Sequence, residues 1–364
     1  MNNKTVKVIA ILVAVLLSIF GLGYGIFNHY YSKLNYVEIE NQTNDITQDE
    51  IDSIIKEEQI EDATDSPQEE IDKIDQSMEN MNKYDVISDE DVINILCVGI
   101  DTRQKGKNSR SDAMIIISLN TERKTITLTS VLRDIYVDIP GYNKNKLNAA
   151  MAFGNVSLLK ETIEQNFKIK IDRYMIVDFF SFVDIIDAVG GVDLEVTKDE
   201  QKYINLYLKE INKLLGDSED ANQLKDYGNV KLNGRQALSY ARIRYIGTDF
   251  GRTERQRKVM LAAFDKVKDS NFVVLSELLD KTLPYITTDL TQNEILGLLV
   301  DLSEYKNYTL SSNCIPYKDT YTFCTINKMS VIGIDFEKNI EMFNKDIYGI
   351  ETENSKPNAA DVIN

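Results

Sequence analysis

Apolar residues follow one another in three short runs near the middle of the chain. Val92–Ile100 (VINILCVGI) and residues 113–119 (AMIIISL) are apolar almost throughout, which predicts strands that are buried on both faces. Residues 125–132 (TITLTSVL) alternate between apolar and polar and predict a third strand. The short polar segment 120–124 (NTERK) between the second and third strands predicts a hairpin.

Helical and extended patterns alternate after this hairpin. Helical spacing is found over residues 148–167 with a break near Gly154, 179–189, 200–215, 235–241 capped by Asn233, and 252–268. Extended patterns are found over residues 173–178 and 192–196. This alternation predicts an α/β domain, with a central mixed β-sheet flanked by helices, over residues 92–348.

A long apolar run stands at the start of the chain. Residues 8–27 are 20 residues without a charge, and at about 1.5 Å per residue they would span the ~30 Å hydrocarbon core of a bilayer. Lys4 and Lys7 precede the run, which predicts that residues 1–7 lie in the cytoplasm and the later domain outside the cell. We expect one transmembrane anchor in the cell membrane. A cleaved signal peptide is the alternative, although no A-x-A-like site ends the run.

The negative charge of the chain comes from one segment. Residues 38–91 hold 20 acidic and 3 basic side chains, whereas the whole chain has 58 and 41, so the remainder is balanced. Apolar residues appear too sparse there for a core, and we expect residues 28–91 to form a solvated extracellular stalk with a transient helix near 48–59. A regulatory or partner-binding arm is the alternative. Residues 349–364 are expected to be a flexible tail.

Residue types exclude several kinds of active site. His29 is the one histidine and precedes the domain, which excludes Ser-His-Asp and Cys-His hydrolases and zinc sites built on histidine. Cys97 falls in the first apolar strand and is expected to be a core thiol. Cys314 and Cys324 flank a turn-like stretch, so they are either bridged or free, and the sequence leaves both possibilities open.

Charged residues stand where the predicted strands end. Asp101 follows the first strand, Arg110 and Asp112 open the second, and Arg133 follows the third. Because the hairpin reverses the chain, these four residues are expected at the same end of the sheet. Two carboxylates and two guanidiniums beside an apolar sheet are typical of a site. Ordinary surface ion pairs at strand ends are the alternative interpretation.

A basic segment lies further along, where residues 231–258 hold eight basic and two acidic side chains. Arg252, Arg255 and Gln256 are spaced i, i+3 and i+4, which predicts one shared helical face in the first turn. Cations there oppose the helix dipole, so a bound phosphate or carboxylate is expected to compensate them. Nucleic acid is not expected, because the rest of the domain is balanced in charge. A solvated basic face is the alternative.

These segments, taken in order, resemble a known family. The motifs are Asn94-Ile-Leu-Cys-Val-Gly-Ile-Asp-Thr-Arg103, Arg110-Ser-Asp-Ala-Met114, Ser130-Val-Leu-Arg-Asp134, Lys146-Leu-Asn148, Gly190-Gly-Val192, Ala241-Arg-Ile-Arg244 and Asp249-Phe-Gly-Arg-Thr-Glu-Arg-Gln-Arg257. Together they resemble the LytR-CpsA-Psr family of bacterial cell-envelope proteins, most clearly over residues 92–261. The resemblance implies that family's three-layer αβα domain.

The resemblance also implies an activity. Members transfer a glycopolymer, such as a teichoic acid, capsular polysaccharide or secondary wall polymer, from a polyprenyl-pyrophosphate carrier to a peptidoglycan sugar hydroxyl, with Mg²⁺ or Mn²⁺. It implies Asp101, Asp112 and Arg133 as catalytic residues, with the two aspartates as metal ligands. The implied pyrophosphate-binding residues are Arg110, Arg133, Lys146, Arg242, Arg244, Arg252 and Gln256. The resemblance implies an apolar lipid tunnel beside the sheet, which residues 179–189 and 261–267 could line, although core packing is the expected role of most of those side chains.

The chain departs from the family pattern at Ala149, where many members have histidine, at Ser130-Val-Leu-Arg133, and in a short loop between Arg244 and Asp249. These changes affect the expected acceptor and loop shape more than the phosphate ligands. Two other functions remain open. One is a non-catalytic envelope protein that binds polyprenyl-linked polymer, and the other is a pyrophosphatase that releases the same head group to water.

Overall fold

The computed structural model describes residues 31–38, 46–100, 110–267 and 280–350. The predicted anchor, Asp101 and the predicted tail beyond residue 350 lie outside these ranges. Within them, no helix is long and apolar enough to cross a bilayer.

The strands of the described ranges are β1 (Asn35–Tyr36), β2 (Val92–Ile100), β3 (Ser111–Asn120), β4 (Thr125–Val131), β5 (Tyr136–Val137), β6 (Asn145–Lys146), β7 (Arg173–Asp178), β8 (Val192–Val196), β9 (Gly228–Leu232), β10 (Thr287–Thr288), β11 (Thr309–Ile315), β12 (Tyr321–Ile326) and β13 (Met329–Ile334). The α-helices are α1 (Gln48–Glu58), α2 (Gln68–Asn80), α3 (Leu147–Phe167), α4 (Phe179–Ala188), α5 (Lys198–Leu214), α6 (Gly234–Ala241), α7 (Asp249–Val267), α8 (Gln292–Val300), α9 (Leu302–Tyr305) and α10 (Phe336–Tyr348). Short 3₁₀ turns occur at Met81–Lys83 and Leu283–Tyr285.

A mixed sheet organises the described part of the chain, with seven strands in the order β1-β10-β7-β2-β3-β4-β11. β3 is antiparallel to both neighbours, whereas β7 is parallel to β2 and β11 is parallel to β4. The predicted hairpin is confirmed, with Asn120 opposite Thr125. The start of β3 therefore lies at the same end of the sheet as the carboxyl ends of β2, β4, β7 and β11.

Helices cover both faces of the sheet. Successive residues of a strand point to opposite faces, and accordingly Leu96 and Val98 pack with α3 and α10, whereas Cys97 packs with Met260 and Phe264 of α7. These layers confirm the predicted α/β class.

The predicted break in the first long helix is confirmed. α3 loses helical backbone angles at Gly154 and Asn155. A Cβ at Gly154 would lie 2.5 Å from the Cβ of Leu158, so the close turn requires glycine here. This break keeps the first part of α3, which begins at the sheet end, separate in direction from the rest.

Part of the expected stalk is instead folded onto the domain. Thr47 caps α1, and its side chain accepts a hydrogen bond from the backbone of Glu50. Ile51 on α1 and Ile74 and Met78 on α2 are buried in the main core. A few apolar residues at helical spacing are enough here, because β12, β13 and α10 supply the rest of the core. The expectation of a solvated spacer therefore differs from the structure over residues 46–91.

A second, smaller core carries the basic segment. The predicted strand β8 is confirmed, but it pairs with β9, which the sequence analysis did not identify, and not with the central sheet. Val192, Ile204, Leu232 and Tyr240 bury against one another among α4, α5, α6 and α7. The smaller core holds α6 and α7, and therefore the arginines that they carry, at the end of the sheet where β3 begins.

The possible bridge between Cys314 and Cys324 is not formed. Cys314 lies on β11 with its Sγ 3.8 Å from the Thr253 hydroxyl, and Cys324 is buried on β12 opposite Val331 of β13. Both are free thiols, as is Cys97, whose pKa burial raises to about 12. The expected core thiol is thus confirmed at Cys97.

Ile74→Ala should lower the free energy of unfolding by about 2–5 kcal/mol, because Ile74 is only 4% exposed in the main core. Ile60→Ala, at a side chain that is 51% exposed, is the matched control and should change it by less than about 0.5 kcal/mol. Urea unfolding of the purified chain measures both. Equal, small effects would mean that this segment is a solvated stalk after all.

Candidate active site

Charged side chains converge at the sheet end where β4 stops and β3 begins. Asp112 is the second residue of β3, and Arg133 follows β4 by two residues. Lys146 stands at the N-terminal cap of α3, and Arg252 lies in the first turns of α7. Two strand ends and the starts of two helices therefore bring charged side chains together at this end of the sheet.

Arg133 links the carboxylates of this cluster. Its Nη1 donates to Asp112 Oδ1 at 2.6 Å, and its Nε lies 3.5 Å from Asp134 and 3.8 Å from Asp249. Burial alone would lower the pKa of Arg133, but Asp134, Asp112 and Asp249 together raise it. The expected proximity of Asp112 and Arg133 is confirmed.

Arg252 is the most deeply buried cation of the cluster, with 3% of its side chain exposed. Its Nη2 donates to Asp249 Oδ2 at 3.1 Å, while its Nε has no hydrogen-bond partner among the described residues. Burial, with Arg133 nearby, lowers the pKa of Arg252 to about 10, so it stays charged at neutral pH. A buried, incompletely paired guanidinium favours an incoming anion.

Asp134 and Asp249 are close enough in the cluster to shift each other's pKa. Burial and the neighbouring Asp134 raise the pKa of Asp249. Burial opposes ionisation of Asp134 as well, but Arg133 and Lys146 hold its pKa below the usual value. Asp249 is therefore the carboxyl group of this pair that takes up a proton first as the pH falls.

Arg242 and Arg244 lie on the side of the smaller core. The Arg242 guanidinium stands 5.1 Å from the ring centre of Phe179 and 5.7 Å from that of Tyr207, and its Nη1 has no hydrogen-bond partner in the described ranges. Arg244 is about half exposed, with its Nη2 3.9 Å from Asp112. Both side chains are positioned to meet a ligand between them and Arg252.

Arg110 and Lys146 both form ion pairs with Glu58. The Glu58 carboxylate, at the end of α1, lies 3.0 Å from Arg110 Nη1 and 2.6 Å from Lys146 Nζ. Arg110 also donates to the Ile54 carbonyl, while Lys146 reaches Asp134 at 3.3 Å. Lys146 thus joins the cluster directly, and Arg110 joins it through Glu58.

The predicted face of Arg252, Arg255 and Gln256 is divided. α7 begins at Asp249, three residues before the predicted start. Gln256 and Arg252 line the same cavity, and Gln256 Oε1 has no partner in the described part of the chain. Arg255 instead donates to the Ile243 and Ile246 carbonyls, both at 2.8 Å, so its role is to hold the loop before α7.

An apolar cavity of about 460 Å³ opens beside these arginines. Its walls include Phe179, Phe182 and Ile186 from α4 and Val259 and Met260 from α7. Its mouth is lined by Asp112, Arg242, Arg244, Arg252 and Gln256. Four residues of the segment expected beside a lipid tunnel line this cavity: Phe179, Phe182, Ile185 and Ile186. Of residues 261–267, Ala263 lines the cavity, whereas Leu261 packs against the sheet.

Three carboxyl groups of the site were not predicted from the sequence to be site residues. Asp134 follows Arg133 directly and Asp249 precedes Arg252 by one helical turn, so their positions beside arginines were a usable signal. Glu58 lies 88 residues from Lys146 in sequence and had no local signal.

The metal-ligand prediction rests on Asp101 and Asp112. Asp101 lies outside the described residues. Within the described ranges, no group of three or more His, Cys, Asp or Glu side chains could hold a metal ion. Asp112 offers one carboxylate at the cavity mouth. Mg²⁺ commonly takes only one or two protein carboxylates together with substrate phosphates, so this donor fits such an ion.

Comparisons with known proteins agree with this architecture. TagU of Enterococcus faecalis, a polyisoprenyl-teichoic acid–peptidoglycan teichoic acid transferase, is 34% identical over 64% of this chain and 73% of its own. The regulatory protein MsrR of Staphylococcus aureus is 33% identical over 63% of this chain and 66% of its own.

Solved structures of Bacillus subtilis TagT share the fold. TagT bound to LIIa-WTA has a TM-score of 0.58 and 24% identity, over 72% of this chain and 92% of that chain. TagT with bound octaprenyl pyrophosphate lipid has a TM-score of 0.54 and 23% identity over the same shares. The LytR_cpsA_psr family model matches residues 51–346, which include most of α1, all of α2 and every strand of the central sheet except β1. The chain therefore belongs to the LytR-CpsA-Psr family.

Proposed function

We propose that this protein transfers a glycopolymer from a polyprenyl-pyrophosphate carrier to a peptidoglycan sugar hydroxyl, forming a phosphodiester. The polymer is of the teichoic acid, capsule or secondary wall polymer class. Membership of the family and the teichoic acid transferase TagU as a relative support this activity.

The observation that carries the proposal is Arg252 at the mouth of the apolar cavity. Its guanidinium is buried, its Nε has no hydrogen-bond partner among the described residues, and apolar walls begin beside it. A ligand that suits both parts has a strongly anionic head and a long apolar tail. A polyprenyl pyrophosphate has this chemistry, and Arg242, Arg244, Arg133 and Gln256 lie where they can contact the same head group. Lys146 and Arg110 would assist from the Glu58 side.

The reaction joins the acceptor oxygen to the phosphorus that carries the glycan. The phosphoanhydride bond breaks, and polyprenyl phosphate leaves with the bonding electron pair. Guanidiniums at the mouth would stabilise the charge that moves onto the leaving phosphate. The acceptor proton passes to a carboxylate. Asp101 and Asp112 are the two candidates for this base, and Arg133 orients Asp112 through its 2.6 Å hydrogen bond.

A divalent cation, Mg²⁺ or Mn²⁺, completes the proposed site. Asp112 and Asp101 would hold it, together with phosphate oxygens of the donor. When bound, such a cation neutralises part of the pyrophosphate charge.

The proposed location is the outer face of the cell membrane. The uncharged run over residues 8–27 supports a single anchor with a cytoplasmic N-terminus. Peptidoglycan and the lipid-linked polymer are the proposed partners, and nucleic acid is not.

Product analysis tests the activity directly. The full chain in detergent micelles would be incubated with polyprenyl-pyrophosphate-linked oligosaccharide, Mg²⁺ and peptidoglycan oligomers, and products identified by mass spectrometry. A phosphodiester-linked conjugate is expected. Sugar phosphate in its place would favour a pyrophosphatase, and intact donor bound to the protein would favour a non-catalytic binding protein.

Arg252→Ala should lower kcat/KM by about 10²–10³-fold, because it removes a buried donor to the phosphates. Lys258→Ala on the same helix is the control, since that side chain is half exposed and pairs with Glu254, and its activity should stay near wild type. Circular dichroism checks that both variants fold. Wild-type turnover in folded Arg252→Ala would rule out the proposed clamp.

Asp112→Asn should raise the Mg²⁺ concentration for half-maximal activity by about tenfold or more, because it removes a charged ligand. Metal titrations of the transfer reaction measure the change. Asp319→Asn, an exposed acid at a distant turn, is the control and should leave the titration unchanged. An unaltered titration in Asp112→Asn would contradict its assignment as a metal ligand.

A further inference from the structure

Three tyrosines form a partly exposed aromatic surface beside the cavity. Tyr203 and Tyr207 lie one turn apart on α5, and Tyr245 lies in the loop between α6 and α7. The rings of Tyr203 and Tyr245 stack, with centres 5.5 Å apart and planes 21° apart. Tyr207 and Tyr245 lie 6.4 Å apart at 36°. We call this surface the tyrosine platform.

Tyr245 is the exposed member of the tyrosine platform, whereas Tyr203 and Tyr207 also pack partly against the smaller core. α5 buries Ile204, Leu208 and Ile211 on its inner face, whereas Tyr245 is 71% exposed. Leu206, next to Tyr207 on the helix, is also exposed. Grouped aromatic rings left in water next to a polar rim commonly mark a place where a ligand binds.

The platform is continuous with the proposed pyrophosphate site. Tyr207 lines the cavity, and the Arg242 guanidinium lies against its ring. Tyr245 follows Arg244, whose guanidinium lies near Asp112 at the mouth. A ligand held by Arg242 and Arg244 would therefore extend over the platform if it left the cavity on this side.

We propose that the tyrosine platform binds the sugar rings of the donor glycan nearest to the pyrophosphate. The inference rests on the proposed function and names a subsite for it. A pyranose ring presents a face of C–H groups that stacks on an aromatic ring, while its hydroxyls stay at the edge for hydrogen bonds. Tyrosine hydroxyls, Lys202 and Glu210 border the platform and suit those hydroxyls.

The sugar is favoured over the lipid as the occupant. The cavity already provides a largely apolar space for the tail, whereas the platform is bordered by charges of both signs. In the donor, the first sugar is joined directly to the phosphate, so it must lie within one ring's length of the arginines. The platform lies within that reach, because Tyr207 lines the cavity and its ring centre is 5.7 Å from the Arg242 guanidinium.

The test compares two donors with the full chain in detergent micelles. One is a polyprenyl pyrophosphate that carries a disaccharide, and the other is the same polyprenyl pyrophosphate without sugar. Tyr245→Ala should weaken binding of the glycosylated donor by about tenfold and leave the sugar-free donor within twofold. Tyr245→Phe, which keeps the ring, should bind nearly as wild type. Tyr227→Ala, at a tyrosine that is outside the platform and 59% exposed, is the matched control.

Each other outcome has a definite meaning. Equal affinities of Tyr245→Ala and wild type for the glycosylated donor would overturn the platform and leave the proposed function intact. Equal weakening for both donors would assign the platform to the lipid or the arginines, and would also overturn it. Failure of the wild-type protein to bind either donor would instead refute the proposed function.

Discussion

The buried charge of Arg252 is the constraint on which the rest of the site depends. A guanidinium that is 3% exposed needs anionic partners, and Asp249, Asp134 and Asp112 are arranged around it and Arg133 to supply them. These anionic partners do not satisfy the guanidinium completely, because the Nε of Arg252 lacks a hydrogen-bond partner in the described structure. The resting site is therefore held together by charges of both signs, yet it retains an affinity for a further anion.

The main core and the smaller core each position a different part of this site. The main sheet fixes Asp112 and Arg133 through strand register, which is rigid because both strands are buried. The smaller core holds α6 and α7 against α4 and α5 and so sets the positions of Arg242, Arg244 and Arg252. The apolar cavity lies where these units meet, with walls from α4 and α7 and the sheet. The packing of the two cores therefore positions both the arginines and the cavity.

The parts that could be predicted are those that depend on short stretches of sequence. Continuous apolar runs identified β2 and β3, the hairpin topology brought Asp112 to Arg133, and Gly154 marked the break in α3. What could not be predicted depends on contacts far apart in the chain. The many acidic residues of 46–91 made the segment look unable to form a core, although α1 has an apolar face that packs in the main core. Glu58 and Lys146 come together only in the folded molecule. Arg255 looked like a ligand residue because its carbonyl acceptors belong to a loop whose shape the spacing did not reveal.

Strand β1 has a geometric consequence for the whole molecule. Asn35 pairs with Thr287 at the sheet edge, and its backbone N–H donates to Ile286, a residue that lines the cavity. If residues 8–27 cross the bilayer as proposed, only residues 28–34 link the membrane to this strand. The fully extended length of this linker is at most about 25 Å. The domain would then rest on the lipid surface, with the β10 side of the cavity turned toward it. A carrier lipid would pass from bilayer to protein over less than one membrane thickness, without an open stretch of water to cross.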